Sequence, residues 1–109
     1  MFKITFSEQK DGENQSIGKL VFTLVGDFDN TASTEAARGF EPVFEHTDCY
    51  VVIDCSELNY ISSSGIRILL DIYKHTNSHG HWVILKRLSD DIRVVLGMSG
   101  FLQLFHTED

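Results

Sequence analysis

One strand and one amphipathic helix, joined by a short serine loop, constrain the fold of this chain more than any other feature. Tyr50–Ile53 is an uninterrupted apolar run that predicts a buried strand, and it ends at Asp54. After the loop, apolar residues recur at the spacing of one helix face, at Ile66, Leu69, Leu70 and Tyr73. A buried strand followed by such a helix is typical of parallel sheets, in which a helix connects neighbouring strands.

Other apolar segments predict the remaining strands. Residues 2–6 alternate between apolar and polar side chains, and Leu20–Val25 is apolar nearly throughout. The polar stretch Glu8–Ser16 between them contains Asp11-Gly12, a turn signal, so these strands should form an antiparallel hairpin that is followed by a loop at Gly26–Asn30. Two shorter apolar runs predict later strands, at Trp82–Leu85 and Phe101–Phe105.

Two further segments have the spacing of helices. In the first, apolar residues lie four apart, at Ala32, Ala36, Phe40 and Phe44. Thr31 or Ser33 could cap this helix, and the nearby glycine and proline predict a break near Phe40. The second helix begins after Ser89, with two acids at 90–91 where the helix dipole favours them. Its predicted core face consists of Ile92, Val95 and Leu96.

The order of these elements predicts a single α/β domain over residues 1–109. Strand–helix–strand units imply parallel pairing, while the opening hairpin is antiparallel, so the sheet is mixed and has four to five strands. The helices should pack mainly on one face of it. The chain has 109 residues, a natural length for one domain, and its 42% hydrophobic content argues against disorder.

Charge and composition exclude several classes of protein. The formal net charge is -7 and the cations are scattered along the sequence, which argues against a nucleic-acid partner. No apolar run approaches the roughly 20 residues that a membrane helix needs, and no signal peptide is visible, so we expect a cytoplasmic protein. Cys49 and Cys55 bracket a predicted strand about 20 Å long, too far apart for a disulfide, and should both be reduced.

Residue patterns that are typical of enzymes are missing. There is no Gly-x-Ser-x-Gly elbow and no phosphate-binding Gly-x4-Gly-Lys motif. Asp29 and Asp54 end predicted strands, where acids commonly cap turns rather than act as an acid–base pair. His75, His79 and His81 could form a metal cluster, but histidine near a helix C-terminus is favoured by the dipole alone. We therefore predict no catalytic residue, no metal and no cofactor.

The serine loop is the candidate functional segment. Ser62, Ser63 and Ser64 precede Gly65 at a predicted helix N-terminus, where free N–H groups and the positive end of the dipole favour an anion or a phosphate on a serine. From spacing alone, Ser63 could equally be a simple helix cap, and Ser64 is also a credible cap. Gly65 suits a close backbone approach.

Four segments, in order, resemble one known family. They are Leu24–Asp29, an apolar strand followed by Gly and Asp; Val51–Ser56, a central strand running into Asp; Ile61–Ile66, the serine loop; and Met98–Phe101, the close of the last helix. Together they resemble the STAS domain, shared by sulfate transporters and anti-sigma factor antagonists, over essentially the whole chain.

This resemblance implies a regulatory binding module of the anti-sigma factor antagonist type, not an enzyme. In phosphorylated bacterial members the first serine of Ser-Ser-Gly is modified, and alignment on Gly65 puts that role on Ser63. The family's preceding acid falls on Ser62, where this chain departs from the pattern. The implied partners are an anti-sigma factor that is also a serine kinase, and a serine phosphatase. Phosphorylation, which adds about -1.5 to -2 charges, would break the complex.

Seven residues form the contact surface that we expect for such a partner: Asp29, Asp54, Ser62, Ser64, Gly65, Arg67 and Asp71. Because Ser62 replaces the family acid, two alternatives stay open. One is a STAS subunit of a lipid-transport ATPase complex, and the other is a sensor of a small ligand or nucleotide. The sequence does not predict an oligomeric state.

Overall fold

The computed structural model describes residues 1–11 and 14–109, and these form a five-stranded mixed sheet. The strands lie side by side in chain order: β1 (Phe2–Asp11), β2 (Asn14–Phe28), β3 (Cys49–Ile61), β4 (Val83–Lys86) and β5 (His106–Glu108). β1 and β2 form an antiparallel hairpin, and the other neighbours are parallel. The predicted mixed sheet with an N-terminal hairpin is confirmed. Gly12, part of the predicted turn, lies outside the described residues.

The described helices lie on one face of the sheet, as predicted. They are α1 (Ser33–Gly39), α2 (Glu41–Phe44), α3 (Ser63–Ser78) and α4 (Asp90–Met98), and each contributes buried residues to a single core. That core covers the sheet face that carries Phe22, Ile53 and Leu85, all fully buried. Phe22 also contacts Phe40, with ring centroids 4.7 Å apart.

Three strands extend beyond their predicted limits. The polar residues 8–11 and 14–16, which suggest a loop, lie within the hairpin strands, because ladder hydrogen bonds satisfy the backbone whatever the side chain. β2 also continues through most of the predicted loop 26–30. Gly26 makes this continuation feasible: its φ is 96°, and a side chain there would meet the Met1 carbonyl oxygen.

The sequence predicts that β3 ends at Asp54, but the strand continues to Ile61. The β3 residues that belong to the core are first two apart and later three apart: Cys49, Val51, Ile53, Cys55, Leu58 and Ile61. The pairing with β2 shifts register twice in this part, and each shift inserts one extra residue into β3. These two bulges hide the strand period in the sequence, and they carry β3 directly to the serine loop.

The first helix breaks at Phe40, as predicted, but it begins differently. A 3-10 turn spans Asn30–Ala32 and is capped by Asp29, whose carboxylate accepts a hydrogen bond from the N–H of Ala32 at 3.1 Å. The predicted caps Thr31 and Ser33 are therefore wrong. Ser33 becomes the first residue of α1, and its buried hydroxyl has no hydrogen-bond partner among the described residues.

Two details of the later helices and one later strand also differ from prediction. Ile72, not Leu70, completes the buried stripe of α3. In α4 the predicted cap Ser89 is confirmed, since its hydroxyl accepts from the N–H of Ile92 at 3.2 Å, but Val95 is exposed. The predicted strand Phe101–Phe105 is wrong, because a 3-10 turn occupies Leu102–Leu104 and the strand follows it as β5.

Candidate functional site

The N-terminus of α3 is held by Ser62, the second residue of the Ile61–Ile66 loop. Ser62 is only 7% exposed, and its hydroxyl oxygen accepts a hydrogen bond from the N–H of Gly65 at 3.2 Å. Its own N–H donates to the carbonyl oxygen of Phe28 at 2.8 Å, which joins the loop to the end of β2. The helix cap is therefore Ser62, and the two alternative caps, Ser63 and Ser64, are wrong.

Ser64 connects the loop to the 3-10 turn that follows β2. Its hydroxyl donates a hydrogen bond to the side-chain oxygen of Asn30, thirty-four residues earlier in the chain. The hydroxyl oxygens of Ser62 and Ser64 lie 3.3 Å apart, so they also share a hydrogen bond. Both hydroxyls are thus committed to holding the loop in place.

Ser63 differs from both of its neighbours. It is the first residue of α3 and is exposed. None of the described residues forms a hydrogen bond with its hydroxyl. Ser63 is therefore the most accessible of the three hydroxyls. It also lies in the first turn of the helix, where free N–H groups and the positive end of the dipole favour an anion.

Gly65 is buried and has a packing role, which agrees with the predicted close approach. A Cβ atom at this position would lie 2.9 Å from Cγ1 of Ile61 and 3.1 Å from the ring of Phe28. The missing side chain lets the first turn of α3 lie against the ends of β2 and β3. Gly65 therefore affects the loop through its close packing against Ile61 and Phe28, and it presents no side chain to a partner.

Asp29 lies at the same end of the sheet, next to Asn30. Its Oδ1 accepts a hydrogen bond from the hydroxyl of Thr31 at 2.7 Å, and this bond is the main reason that the pKa of Asp29 lies below its usual value. The N–H of Ala32 contributes in the same direction. Asp29 is consequently a fixed anionic group beside the loop that contains Ser63.

Arg67 and Asp71 continue the exposed side of α3 away from the loop. Both side chains are exposed, and they lie four and eight residues after Ser63. Residues at this spacing share one helix face, so the structure places Ser63, Arg67 and Asp71 in a row. None of the described residues forms an ion pair with either charged side chain.

Asp54 is not brought to this site. Asp54 lies in the middle of β3, where it is paired in register with Lys86 of β4. It precedes Ile61 by seven residues, a distance of roughly 20 Å along the strand. Its carboxylate accepts a hydrogen bond from the N–H of Ser56 at 3.0 Å and faces Arg87 at 4.0 Å. Of the seven residues of the expected contact surface, Asp54 therefore lies away from the serine loop.

The pKa of Asp54 reflects its surroundings in the sheet. Partial burial, the largest single influence, raises the pKa of Asp54. The hydrogen bonds from Ser56 and the nearby charges of Arg87 and Lys86 outweigh it, so the pKa lies below its usual value. Asp54 and Asp29 are too far apart to act on one substrate, which removes the sequence-based suggestion of a carboxylate pair.

The histidines near the end of α3 form packing contacts. Nε2 of His75 lies 2.9 Å from the carbonyl oxygen of His46, and the rings of His75 and His79 are 4.7 Å apart. Within residues 1–11 and 14–109 no group of three His, Cys, Asp or Glu side chains is placed to hold a metal ion. His81 follows the helix, where its N–H donates to the carbonyl of Thr76.

Both cysteines are buried in β3 as reduced thiols, in agreement with the sequence-based expectation. Burial, with a smaller contribution from the charge of Asp54, raises the pKa of Cys55 to about 12. A thiol with such a pKa stays protonated at neutral pH and is a poor nucleophile. The described helices include none that is long and apolar enough to cross a membrane.

Sequence reasoning missed two residues of this site, Phe28 and Asn30. Phe28 supplies both the carbonyl that binds Ser62 and the ring beneath Gly65, and Asn30 binds Ser64. No local pattern in the sequence marks either contact, because each joins residues more than thirty positions apart. The side-by-side order of β2 and β3 is what brings them together.

Two of the solved structures that resemble this fold are described as anti-sigma factor antagonists. One from Thermotoga maritima has a TM-score of 0.74 at 12% sequence identity, and the match covers 95% of this chain and 86% of that one. The Bacillus protein SpoIIAA in its unphosphorylated form has a TM-score of 0.68 at 17% identity, covering 96% and 88% of the two chains. SpoIIAA has also been solved in a phosphorylated form. These similarities establish the fold.

Sequence comparison is more specific about the family. The chain is 28% identical over 88 residues to BtrV of Bordetella bronchiseptica, which is named as an anti-sigma factor antagonist, and this match covers 81% of the chain and 76% of BtrV. The family model of the STAS domain matches residues 10–109, which is nearly the whole chain and includes β2–β5 and the serine loop. The chain therefore belongs to the STAS domain family.

Proposed function

We propose that this STAS domain is an anti-sigma factor antagonist and that phosphorylation of Ser63 switches its binding to a partner. One observation carries the proposal. Of three adjacent serines at the N-terminus of α3, Ser62 and Ser64 are held by hydrogen bonds, while Ser63 is exposed and its hydroxyl is not bonded to any described residue. The domain itself is a regulatory binding module and catalyses no reaction.

The partners that fit this role are an anti-sigma factor with serine kinase activity and a serine phosphatase. In the kinase reaction, Oγ of Ser63 forms a bond to the terminal phosphorus of ATP, the bond from that phosphorus to the ADP oxygen breaks, and the hydroxyl proton passes to a base of the kinase. The phosphatase returns the free hydroxyl by hydrolysis. Sigma factors act on RNA polymerase, so this cycle takes place in the cytoplasm.

The physical effect of the phosphate differs inside the domain and across an interface. Within the domain, a phosphate on the first residue of α3 lies near free N–H groups and the positive end of the helix dipole, so the fold tolerates it. In a complex formed around a neutral hydroxyl, about -1.5 to -2 added charges cause repulsion and a desolvation cost. The unphosphorylated domain therefore binds the partner and the phosphorylated domain releases it.

The proposed contact surface is centred on Ser63. Asp29, Arg67 and Asp71 supply charged groups around it. The buried Ser62 and Gly65, together with Ser64, act through the shape of the loop. Asp54 also stays a predicted contact residue, at a separate position in the middle of β3.

Ser62 stands where the family pattern implies an acid, and this difference bears on how a kinase recognises the loop. Its hydroxyl already caps the helix by accepting from Gly65, which is the hydrogen bond that a carboxylate would accept there. The loop geometry is thus preserved while one negative charge is absent. A cognate kinase would recognise the shape of the loop and the exposed hydroxyl of Ser63, not a carboxylate beside it.

The test of this proposal uses the serine kinase encoded nearest to this chain's own gene. Wild type, Ser63→Ala, Ser62→Ala and Ser64→Ala are incubated with the kinase and ATP, and phosphate is located by mass spectrometry. We expect incorporation in wild type and both neighbour variants, and none in Ser63→Ala. Binding to the kinase, measured by calorimetry, should persist in Ser63→Ala and weaken in Ser63→Asp.

Two outcomes would contradict the proposal in different ways. Phosphate on Ser62 or Ser64 would overturn the assignment of Ser63 but leave a phosphorylation switch. If no kinase modifies the loop and Ser63→Asp binds every partner as well as wild type, the switch is wrong. A STAS subunit of a lipid-transport ATPase complex, or a sensor of a small ligand or nucleotide, then becomes the better reading.

A further inference from the structure

Arg67 lies one helical turn after Ser63 on the exposed side of α3. Both residues are exposed, and their positions differ by four, which places their Cβ atoms roughly 5–6 Å apart on one helix face. None of the described residues forms an ion pair with Arg67. A long, flexible and permanently charged side chain is thus available beside the hydroxyl proposed for phosphorylation.

We propose that the guanidinium of Arg67 binds the phosphate of phosphorylated Ser63 within the same helix. This inference rests on the proposed function, because it concerns the state that phosphorylation creates. A guanidinium forms two parallel hydrogen bonds with a phosphate, a geometry that a lysine does not offer. Arg67 thereby becomes the intramolecular partner of the switch.

Asp71 competes for Arg67 but is the weaker partner. It lies four residues after Arg67, as Ser63 lies four residues before it. On a helix, an anion that precedes its cation by four residues is favoured over the reverse order, because this order also agrees with the helix dipole. The phosphate further carries more charge than the carboxylate. Phosphorylation should therefore draw Arg67 towards the N-terminus of α3.

Two carboxylates near Ser63 make this cation important. Asp27 at the end of β2 and Asp29 beside it place carboxylates at the same end of the sheet, and both repel a phosphate. Lys74, the next cation on α3, lies eleven residues from Ser63, or about 16 Å along the helix axis, and cannot replace Arg67.

The pairing has a consequence for the partner. In the unphosphorylated domain Arg67 points from an exposed helix face and is free to contact an acidic group of a bound protein. Phosphorylation adds negative charge at Ser63 and at the same time withdraws the positive charge of Arg67 into an intramolecular pair. The two changes act in the same direction and weaken the complex together.

The test needs neither a kinase nor a partner. Phosphoserine is placed at position 63 during translation, in wild type and in Arg67→Gln, Arg67→Lys and Lys74→Gln backgrounds. The second ionisation of the phosphate is then followed by phosphorus NMR as a function of pH. A cation that binds the phosphate favours its doubly charged form, so the pKa of the phosphate is lowered.

We expect this pKa to be lower in wild type than in Arg67→Gln by about 0.3 pH unit or more. Lys74→Gln, which removes the same charge at a distance, should match wild type, and Arg67→Lys should lie in between. The difference should shrink in 1 M salt, since the pair is exposed.

Equal pKa values in wild type and Arg67→Gln would overturn the inference and leave the proposed function untouched. An equal effect of Lys74→Gln would also overturn it, because it would show a general charge effect instead of a local pair. Conversely, failure of every kinase to modify Ser63 contradicts the proposed function without changing this titration. The two hypotheses therefore fail independently.

Discussion

The backbone N–H of Ser62 donates a hydrogen bond to the carbonyl oxygen of Phe28 at 2.8 Å. This bond joins the last residue of β2 to the residue that caps α3, across two neighbouring parallel strands. The start of the helix is consequently fixed to the sheet and not to a free loop. A charge placed on Ser63, one residue later, acts on a rigid surface, which suits a switch that must change binding without unfolding the domain.

The close packing beneath this loop predicts a strong effect of Gly65→Ala. The added methyl would lie 2.9 Å from Cγ1 of Ile61 and 3.1 Å from the ring of Phe28, both buried. Overpacking of this kind costs about 1–3 kcal/mol, more than the gain in helix propensity recovers. We expect a net loss of roughly 1 kcal/mol in the free energy of unfolding, measured in urea.

Gly97→Ala is the matched control, since Gly97 also lies within a helix. A Cβ atom there would meet nothing closer than 3.9 Å, so the substitution should stabilise the domain by about 0.5–1 kcal/mol. Equal effects of the two substitutions would contradict the packing role of Gly65.

The cap assignment predicts that adjacent serines differ in their effect on stability. Ser62→Ala removes the hydrogen bond to the N–H of Gly65 and should lower the free energy of unfolding by about 1 kcal/mol. Ser63→Ala removes an exposed hydroxyl and should change it by less than about 0.5 kcal/mol. Thermal unfolding followed by circular dichroism distinguishes them, and a larger loss in Ser63→Ala would show that the cap is misassigned.

Local signals in the sequence were sufficient for much of the fold. The helix break at Phe40 follows from a proline, and the cap at Ser89 follows from a serine before two acids. The order of strands and helices follows from apolar periodicity. Each of these features depends on residues that are close together in the chain.

The errors have a common physical origin in contacts between distant segments. The sequence predicts that β3 ends at Asp54 because two bulges interrupt the period of two, and their positions depend on pairing with β2. The serine loop could be located from sequence, but which serine caps the helix depends on Phe28 and Asn30. Asp54, which the family resemblance assigns to the contact surface, lies away from the serine loop because β3 continues to Ile61.

The inward face of α3 predicts unequal effects of substitutions along it. Leu69 is 1% exposed, so Leu69→Ala should cost about 2–5 kcal/mol of unfolding free energy. Leu70 is only half-buried, and Leu70→Ala should cost clearly less. Lys74→Ala, on the exposed side, should stay within about 0.5 kcal/mol of wild type. Urea melts that rank Leu70 above Leu69 would mean that the helix is rotated from the position described.

The backbone conformation of Arg87, the residue just after β4, predicts that a substitution there will stabilise the domain. Its φ is 58°, a left-handed conformation that costs a residue with a side chain about 1–2 kcal/mol relative to glycine. Its ion pair with Asp54 is long, at 4.0 Å, and the Arg87 side chain is 55% exposed, so the pair contributes little in return. Arg87→Gly should therefore raise the melting temperature, and Arg87→Val should lower it. A lower melting temperature in Arg87→Gly would show that the ion pair outweighs the backbone strain.

The hydrogen bonds of Asp29 predict a dependence of stability on pH. The pKa of Asp29 in the folded domain lies below its ordinary value of 3.8, chiefly because Thr31 donates to the carboxylate. A lowered pKa means that the charged form stabilises the fold above the ordinary pKa, and that this contribution is lost as pH falls from about 4 through the folded pKa. Asp29→Asn keeps an acceptor for the cap but does not titrate.

We therefore expect the stability of wild type, relative to Asp29→Asn, to fall when urea melts are compared at pH 7 and at pH 2.5. Thr31→Val removes the strongest donor to the carboxylate, so its own pH dependence should be smaller than that of wild type. A difference between wild type and Asp29→Asn that stays constant over this range would mean that the carboxylate is not held by these bonds. Asp29 would then be free to move with a partner and would no longer be a fixed anionic group beside Ser63.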